Sequence, residues 1–196
     1  MDTPPRLVDF DRIVFFTGAG MSAESGVPTY RGKGGIWKEY DYEEYACAEA
    51  FARQPEKVWE FHNYRRQLVA ACAPNAGHAL IARCQRLRPE VSVVTQNIDG
   101  LHQASGVPGE QVIELHGNGT YATCLSCGRR YELTWVRARY DALGGEAPDC
   151  EACGGPVKSA TISFGQAMPE AEMRLATEWT MGADLFIAIG SSLVVY

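Results

Sequence analysis

The chain of 196 residues has no run of about 18 apolar residues, the length a helix needs to cross a bilayer, so no membrane span is expected. Its first residues, MDTPPRLVDFDR, lack the charged and apolar regions of a secretory signal. An excess of positive charge is missing as well. Lys and Arg number 18 against 24 Asp and Glu, a formal net charge of -6. This balance argues against broad binding to nucleic acid or to an anionic membrane surface. No internal repeat or low-complexity segment is visible, which sets aside solenoids and disordered linkers. The seven cysteines are odd in number, and without a secretory signal they point to a reducing cytoplasm and to thiolate ligation, not disulfides. What remains is 46% hydrophobic and 21% charged, the composition of an ordinary globular chain with one substantial core and room for a small satellite module.

Two familiar phosphate-binding motifs are incomplete. Gly32-Lys33 lacks the glycine five residues upstream that a mononucleotide P-loop needs; Val27 stands there, and Gly34 follows in place of Ser or Thr. The dinucleotide fingerprint lacks its third glycine, replaced by the tolerated Ala23. The segment IVFFTGAGMSAESGVPTYRG nevertheless has the right beginning. Ile13 to Thr17 is a short β-branched and aromatic run that reads as a core strand. Gly18 and Gly20 permit a sharp turn and a close backbone approach. A helix starting near Met21, with Ser22 as its cap, would aim free N–H groups at an anion such as a phosphate. Taken alone, Gly-Ala-Gly also fits a plain structural turn.

The strongest local signal is metal-binding. CLSCG and CEACGG each place two cysteines two residues apart, Cys124 with Cys127 and Cys150 with Cys153, and 22 residues separate the pairs. Two such knuckles suit a tetrahedral four-thiolate zinc, and four thiolates leave no open coordination position, so the zinc is structural. Cys47, Cys72 and Cys84 fall in expected helices and read as ordinary buried residues.

Around this module the pattern is α/β. Val91–Gln96, Val112–His116, Ser159–Phe164 and Leu185–Ile189 read as further core strands, with helical patterns at Asn75–Leu87 and Glu170–Met181. Alternating strands and helices predict a mostly parallel, doubly wound sheet, in which ligands sit beyond the carboxyl ends of the strands. The strand ends carry Gly18-Ala19-Gly20, Gln96-Asn97-Ile98-Asp99, His116-Gly117-Asn118 and Gly190-Ser191-Ser192. All are small, hydrogen-bonding or titratable.

The segments GAGMSAESGVPTYRG, TQNIDGLH and LHG, the two cysteine knuckles, FGQAMP and GSS stand in the order found in sirtuins, and the resemblance covers about residues 9 to 196. It implies an NAD-dependent protein-lysine deacylase with a Rossmann-like large domain and a small zinc-bearing domain. Residues 1–35, 75–119 and 158–196 would form the large domain, 36–74 a helical acyl-pocket module, and 120–157 the zinc domain. By resemblance, Gly18, Ala19, Gly20, Ser22 and Glu24 cradle the pyrophosphate, and Arg31 reaches the nucleotide near its ribose and phosphates. Tyr30, where the family usually has Phe, covers the nicotinamide pocket. Gln96 and Asn97 line the ribose, Asp99 recognises the carboxamide, and Gly190, Ser191 and Ser192 form a second nucleotide turn. His116 is the catalytic base, a role its near-neutral pKa suits, with Asn97 beside it. Ile162, Phe164 and Gly165 border the acyl-lysine substrate. The reaction implied consumes NAD as co-substrate and yields free lysine, nicotinamide and O-acyl-ADP-ribose. His78 and His102 fit structural roles better.

PEKVWEFHNYRRQLVAACA reads as an amphipathic helix on which Val58, Phe61, His62, Leu68, Val69 and Cys72 share a face, at about 100° per residue. Arg65 falls in the middle of that face, where a guanidinium is costly unless an anion meets it. Class III sirtuins carry Tyr-x-x-Arg here and bind the carboxylate of succinyl, malonyl or glutaryl groups. This chain keeps Arg65 and places His62 at the tyrosine position, so an acidic acyl group is expected, bound by a hydrogen-bonding or protonated imidazole. Against it stands Arg65 paired with a protein carboxylate in a general deacetylase. Gln166 replaces the usual Glu of Phe-Gly-Glu, a segment expected to pair with substrate through its backbone, where a changed side chain has modest effect. Sirtuins continue beyond GSSLVVY, so the chain ending at Tyr196 is expected to be either a fragment or a truncated gene product, with a sheet edge left uncovered. Two other readings use the same residues: an ADP-ribosyltransferase or NAD hydrolase of this fold, and a non-catalytic zinc-stabilised binding module. A hydride-transferring dehydrogenase leaves the knuckles and the Asn97, Asp99 and His116 set without a role.

Overall fold

The computed structural model describes residues 6–32 and 34–193. In chain order, the elements are β1 (Ile13–Thr17), α1 (Tyr42–Tyr45), α2 (Ala48–Arg53), α3 (Pro55–Ala70), α4 (Ala76–Leu87), β2 (Val91–Thr95), α5 (Leu101–Ala104), β3 (Val112–Glu114), β4 (Gly117–Cys124), β5 (Arg130–Glu132), α6 (Leu133–Ala142), β6 (Val157–Thr161), α7 (Glu170–Met181) and β7 (Leu185–Ile189). Among the described residues no helix is long and apolar enough to cross a membrane.

Four strands form one sheet in the order β3-β2-β1-β7, with every pairing parallel. The two central strands are rich in Val, Ile and Phe because a parallel sheet is covered on both faces. Strand alternation divides them cleanly. Ile13, Phe15, Val91 and Val93 pack with Ile81 and Ala82 of α4. Val14 and Val94 pack with Ile113, Leu115 and Ala176 of α7. Helices therefore cover both faces, as the doubly wound reading requires.

The strand expected at Ser159–Phe164 is corrected in place and partner. It forms as β6, four residues of which lie before Thr161, and it pairs antiparallel with β4 in a separate sheet of order β5-β4-β6. Four of its five residues are buried, Lys158, Ser159 and Thr161 among them, because the small sheet has a core of its own. Ala122, Cys124, Tyr131 and Val157 pack there with Phe51 of α2, Val58 and Trp59 of α3, and Val136 of α6. Trp59 Nε1 donates to Val157 O at 3.0 Å, which ties α3 to the small sheet. The boundary expected between residues 157 and 158 falls inside this strand.

Cys47 and Cys72 lie at helix ends, not within helices: Cys47 caps α2 and Cys72 follows α3. With Cys84 they are half-buried, not fully buried. β7 is an edge strand of the parallel sheet among the described residues, and its Phe186 is 43% exposed. The last residues of the apolar run that ends at Tyr196 lie outside the described residues.

Candidate active site

The glycine-rich segment departs from the expected helix. Residues Ala19–Ser25 form a 3-10 turn capped by Gly18 without a side-chain bond, and Gly26 closes it in the left-handed region (φ 90°). Ser22 is not a cap. The glycines have a specific reason: the loop after β1 presses on the loop after β7. A Cβ on Gly18 would stand 2.8 Å from Gly190 O, and one on Gly20 2.8 Å from Gly190 Cα. Gly190 has φ 66°, and a Cβ there would collide with the Met21 nitrogen. The N–H groups of Gly18, Gly20 and Met21 are spent on Ile189, Gly190 and Gly18 carbonyls, so they do not form the bare helix terminus expected for an anion.

Ser22 instead joins a buried polar triad. Its hydroxyl donates to Asp99 Oδ2 at 2.7 Å, while Asn97 Nδ2 donates to Ser22 Oγ at 3.2 Å and to Gly18 O at 3.0 Å. Leu101 N donates to Asp99 Oδ1 at 3.0 Å, which fixes the carboxylate plane. Two lone pairs of that carboxylate stay available for a further donor. Ser191 Oγ donates to Gln96 Oε1 at 2.8 Å, so three strand ends are bonded to one another.

His116 follows β3. Its Nδ1 lies 3.0 Å from Gln96 O. A carbonyl only accepts, so Nδ1 carries the proton and Nε2 keeps its lone pair. Burial lowers the imidazole pKa and the Gln96 carbonyl partly offsets this. The ring is therefore neutral near pH 7, with one basic nitrogen.

A cavity of about 210 Å³ lies between the strand ends and α3. Ala19, Ser22, Tyr30, Asn97 and Asp99 line one side; His62, Arg65, Arg66 and Val69 line the other. Arg65 is 7% exposed, and its Nη1 is buried without a partner among the described residues. Its guanidinium stands 5.0 Å from the Tyr30 ring. No protein carboxylate pairs with it among the described residues. Arg66 was not singled out from the sequence. It donates to Gly119 O and Asn63 Oδ1, lies 4.9 Å from Trp59, and leaves Nη2 buried and unpaired. Burial lowers its pKa to about 10. The helical wheel would have found it, because positions 59 and 66 share a stripe beside the apolar face. Of the two forms expected for His62 the neutral one is favoured: burial first, then Lys158, Arg66 and Arg65, hold its pKa well below the ordinary histidine value. It is a neutral hydrogen-bonding group, not a cation.

The other expected residues lie outside this cavity. Glu24, Arg31 and Ser192 are exposed. Ile162 N donates to His116 O at 2.8 Å, which sets the segment after β6 beside His116. Phe164 N donates to Ala46 O and Phe164 O accepts from Ala48 N, on either side of Cys47, so its backbone groups are already occupied. Gln166 closes a turn by accepting from Ser163 N at 3.2 Å, a bond a glutamate could also accept. Gly165 (φ 78°) is left with no backbone bond among the described residues.

The sulfur atoms of Cys124, Cys127, Cys150 and Cys153 all lie within 4.8 Å of one another. The closest approaches, 3.5 Å for Cys124–Cys153 and 3.6 Å for Cys127–Cys150, are near the edge of a tetrahedron with Zn–S bonds of about 2.3 Å. Tyr131 Oη donates to Cys150 Sγ at 3.1 Å, an outer bond that favours the thiolate. The donor set fits zinc.

Comparison with known proteins places this geometry. The Sir2 family model matches residues 18–196. The NAD-dependent protein deacetylase 1 of Bradyrhizobium diazoefficiens is 50% identical over 184 residues, covering 94% of this chain and 72% of that protein. The NAD-dependent protein deacylase of Aquifex aeolicus is 44% identical over 185 residues, covering 94% and 74%. A solved Sir2–p53 peptide–NAD+ complex superposes with a TM-score of 0.82 at 32% identity, covering 97% of this chain and 75% of that one. With the parallel sheet, the polar strand ends and the four-thiolate cluster in the family's order, the chain belongs to the Sir2 family.

Proposed function

We propose that this chain is an NAD-dependent protein-lysine deacylase, consuming NAD and releasing free lysine, nicotinamide and O-acyl-ADP-ribose. The observation that carries the reading is His116 Nε2, a neutral base fixed by the Gln96 carbonyl at the end of β3, beside the Ser22–Asn97–Asp99 triad. Bound NAD supplies a ribose carbon from which nicotinamide departs. The cavity fits its nicotinamide end, because Asp99 keeps acceptor capacity for carboxamide N–H groups and Tyr30 offers a ring face. Gln96 and Asn97 hold the ribose side. Ala19 and Glu24, with Arg31 and the Gly190–Ser192 turn, line the phosphate and nucleotide side, and Gly18 and Gly20 let the two loops close on each other there, their own N–H groups being occupied. His116 Nε2 accepts the proton from the ribose hydroxyl system, worth about 10²–10⁴ in rate for such a group. Ile162, Phe164 and Gly165 guide the acyl-lysine peptide, with Gly165 offering the unbonded peptide group. Zinc on the four cysteines, with no open position, holds the small sheet and takes no part in the chemistry.

Arg65 and His62 favour a finer reading, an acyl group that ends in a carboxylate. A buried guanidinium with an unpaired N–H in a cavity meets such an anion at far lower cost than it meets a methyl group. The test incubates the protein with NAD and a panel of acetyl-, malonyl-, succinyl- and glutaryl-lysine peptides, following peptide mass and nicotinamide together. Nicotinamide release without deacylation would instead support an ADP-ribosyltransferase or NAD hydrolase.

A further inference from the structure

Two histidines outside the reacting centre are fully buried and each leaves one ring nitrogen without a partner. His78 and His102 are 0% and 1% exposed, and the unpaired atoms are His78 Nε2 and His102 Nδ1. Their tautomers follow from the bonds the other nitrogens make. Asn75 N donates to His78 Nδ1 at 3.3 Å, within the cap of α4. A backbone N–H only donates, so His78 Nδ1 is bare and Nε2 carries the proton. His102 Nε2 lies 2.9 Å from Thr17 Oγ1. Thr17 Oγ1 donates to Thr95 Oγ1 at 2.8 Å, and Thr95 Oγ1 has Thr17 O within reach at 3.5 Å for its own proton. Thr17 Oγ1 is therefore an acceptor towards His102, whose Nε2 carries the proton and whose Nδ1 is bare. The two orphans are thus a donor and an acceptor. They sit on neighbouring rings whose centroids are 5.0 Å apart and whose planes are inclined at 59°, close enough for a reorientation of the rings to bring one to the other. With the opposite tautomer at His102, both orphans would be buried donors with no acceptor between them, each unsatisfied at a cost of the kind native interiors avoid.

We propose that His78 Nε2–H donates to His102 Nδ1, after a small rotation of either ring, and that the pair is a positioning device for the residues read above as contacting NAD. Both ends of the chain it completes reach that site. Asn75, whose N–H bonds His78, also donates from Nδ2 to Met21 O in the glycine-rich turn at 2.8 Å. Thr95 Oγ1, at the other end, accepts from Asn97 N at 3.0 Å. The bond therefore links the turn that carries Ser22 to the loop that carries Asn97 through groups that never meet a ligand. Burial lowers both imidazole pKa values, that of His102 to about 4, with Asp99 the carboxylate that acts on His78. Both rings are neutral at pH 7, as the paired tautomers demand. The bond itself rests on geometry alone; its effect on NAD rests on the proposed function.

The test uses the full chain. At pH 7, nitrogen NMR of histidine-labelled protein should show both rings as Nε2–H tautomers, with a through-hydrogen-bond coupling between His78 Nε2 and His102 Nδ1. An Nδ1–H tautomer at either ring, or no such coupling, overturns the pair. His78→Asn retains an acceptor for Asn75 N, and His102→Gln retains a donor for Thr17, so each removes the shared bond and spares the outer ones. Each should weaken NAD binding about tenfold, and the double variant should bind no more weakly than the worse single one. Additive losses would mean that the residues act separately and would sink the positioning role. If the wild-type chain binds no NAD, the deacylase reading fails while the coupling still decides the pair.

Discussion

The parallel and antiparallel sheets of this protein solve opposite problems. In the parallel sheet, β1 and β2 are buried on both faces by α4 and α7, and the core needs no metal. Its carboxyl ends are free to carry hydrogen-bonding residues that pack against one another, Gln96 with Ser191 and Ser22 with Asp99. The antiparallel sheet has three strands, one of only three residues, and a register shift between Gly117 and Ala122. Two of its ten core residues are zinc-ligand cysteines. Small cores of this kind borrow stability from metal ligation, and closed ligation leaves nothing for chemistry. Chemistry gathers where apolar packing already suffices.

Removing the metal should give the largest effect. Cys150→Ser, or a strong chelator, is expected to empty the site and melt the small sheet, since structural zinc contributes about 10–16 kcal/mol in small domains. Elemental analysis and thermal melting check this. Activity should be lost too, because α3 packs on that sheet and lines the cavity. Wild-type stability without zinc would dissolve the contrast between the sheets.

His116→Ala should lower deacylation by about 10²–10⁴-fold while leaving fold and zinc content unchanged. The sign of the pH dependence follows from burial, which lowers the His116 pKa below its ordinary value of 6.5. The neutral base is then fully present above that pH, and kcat/KM should begin to fall only on its acid side. A fall that begins above pH 6.5 would show another group in control.

Arg65→Met should lower the ratio of succinyl- to acetyl-lysine kcat/KM by about 10- to 150-fold, the worth of a charge-assisted bond of about 1.5–3 kcal/mol. His62→Tyr should hold or raise that ratio. Because His62 is held neutral by burial and by three neighbouring cations, the wild-type ratio should stay flat as pH rises from 6.5 to 8. A ratio unchanged in Arg65→Met assigns that guanidinium to structure.

The smallest effect separates two glycines with similar backbones. Gly190 (φ 66°) and Gly128 (φ 73°) both occupy the left-handed region. A methyl at 190 collides with the loop after β1, whereas at 128 it meets nothing within 4 Å. Gly190→Ala should therefore add a packing cost of about 1–3 kcal/mol to the conformational one, and Gly128→Ala should cost only the latter, about 1–2 kcal/mol. Equal melting shifts would refute the close-approach account.

Much was legible before the fold was seen. Short apolar runs placed β1, β2 and β7, helical patterns placed α4 and α7, and the cysteine spacing named the metal ligands, because all of these are local patterns. The chemistry-bearing strand ends were legible for the same reason: the carboxyl end of a parallel strand is a position in sequence as well as in space. The partner of Ser159–Phe164 was not legible, since a strand pattern in the sequence does not record which sheet the strand joins. Charge was also out of reach. The neutral state of His62 depends on Lys158, 96 residues away, and on the burial they share. The tautomer of His78 is set locally by Asn75 in the cap of α4, but that of His102 depends on Thr17, 85 residues away in the chain. Local sequence determined which groups this protein carries and on which elements. Tertiary packing alone decided which of them meet, because desolvation and hydrogen-bond direction are properties of neighbours, and neighbours are made by the fold.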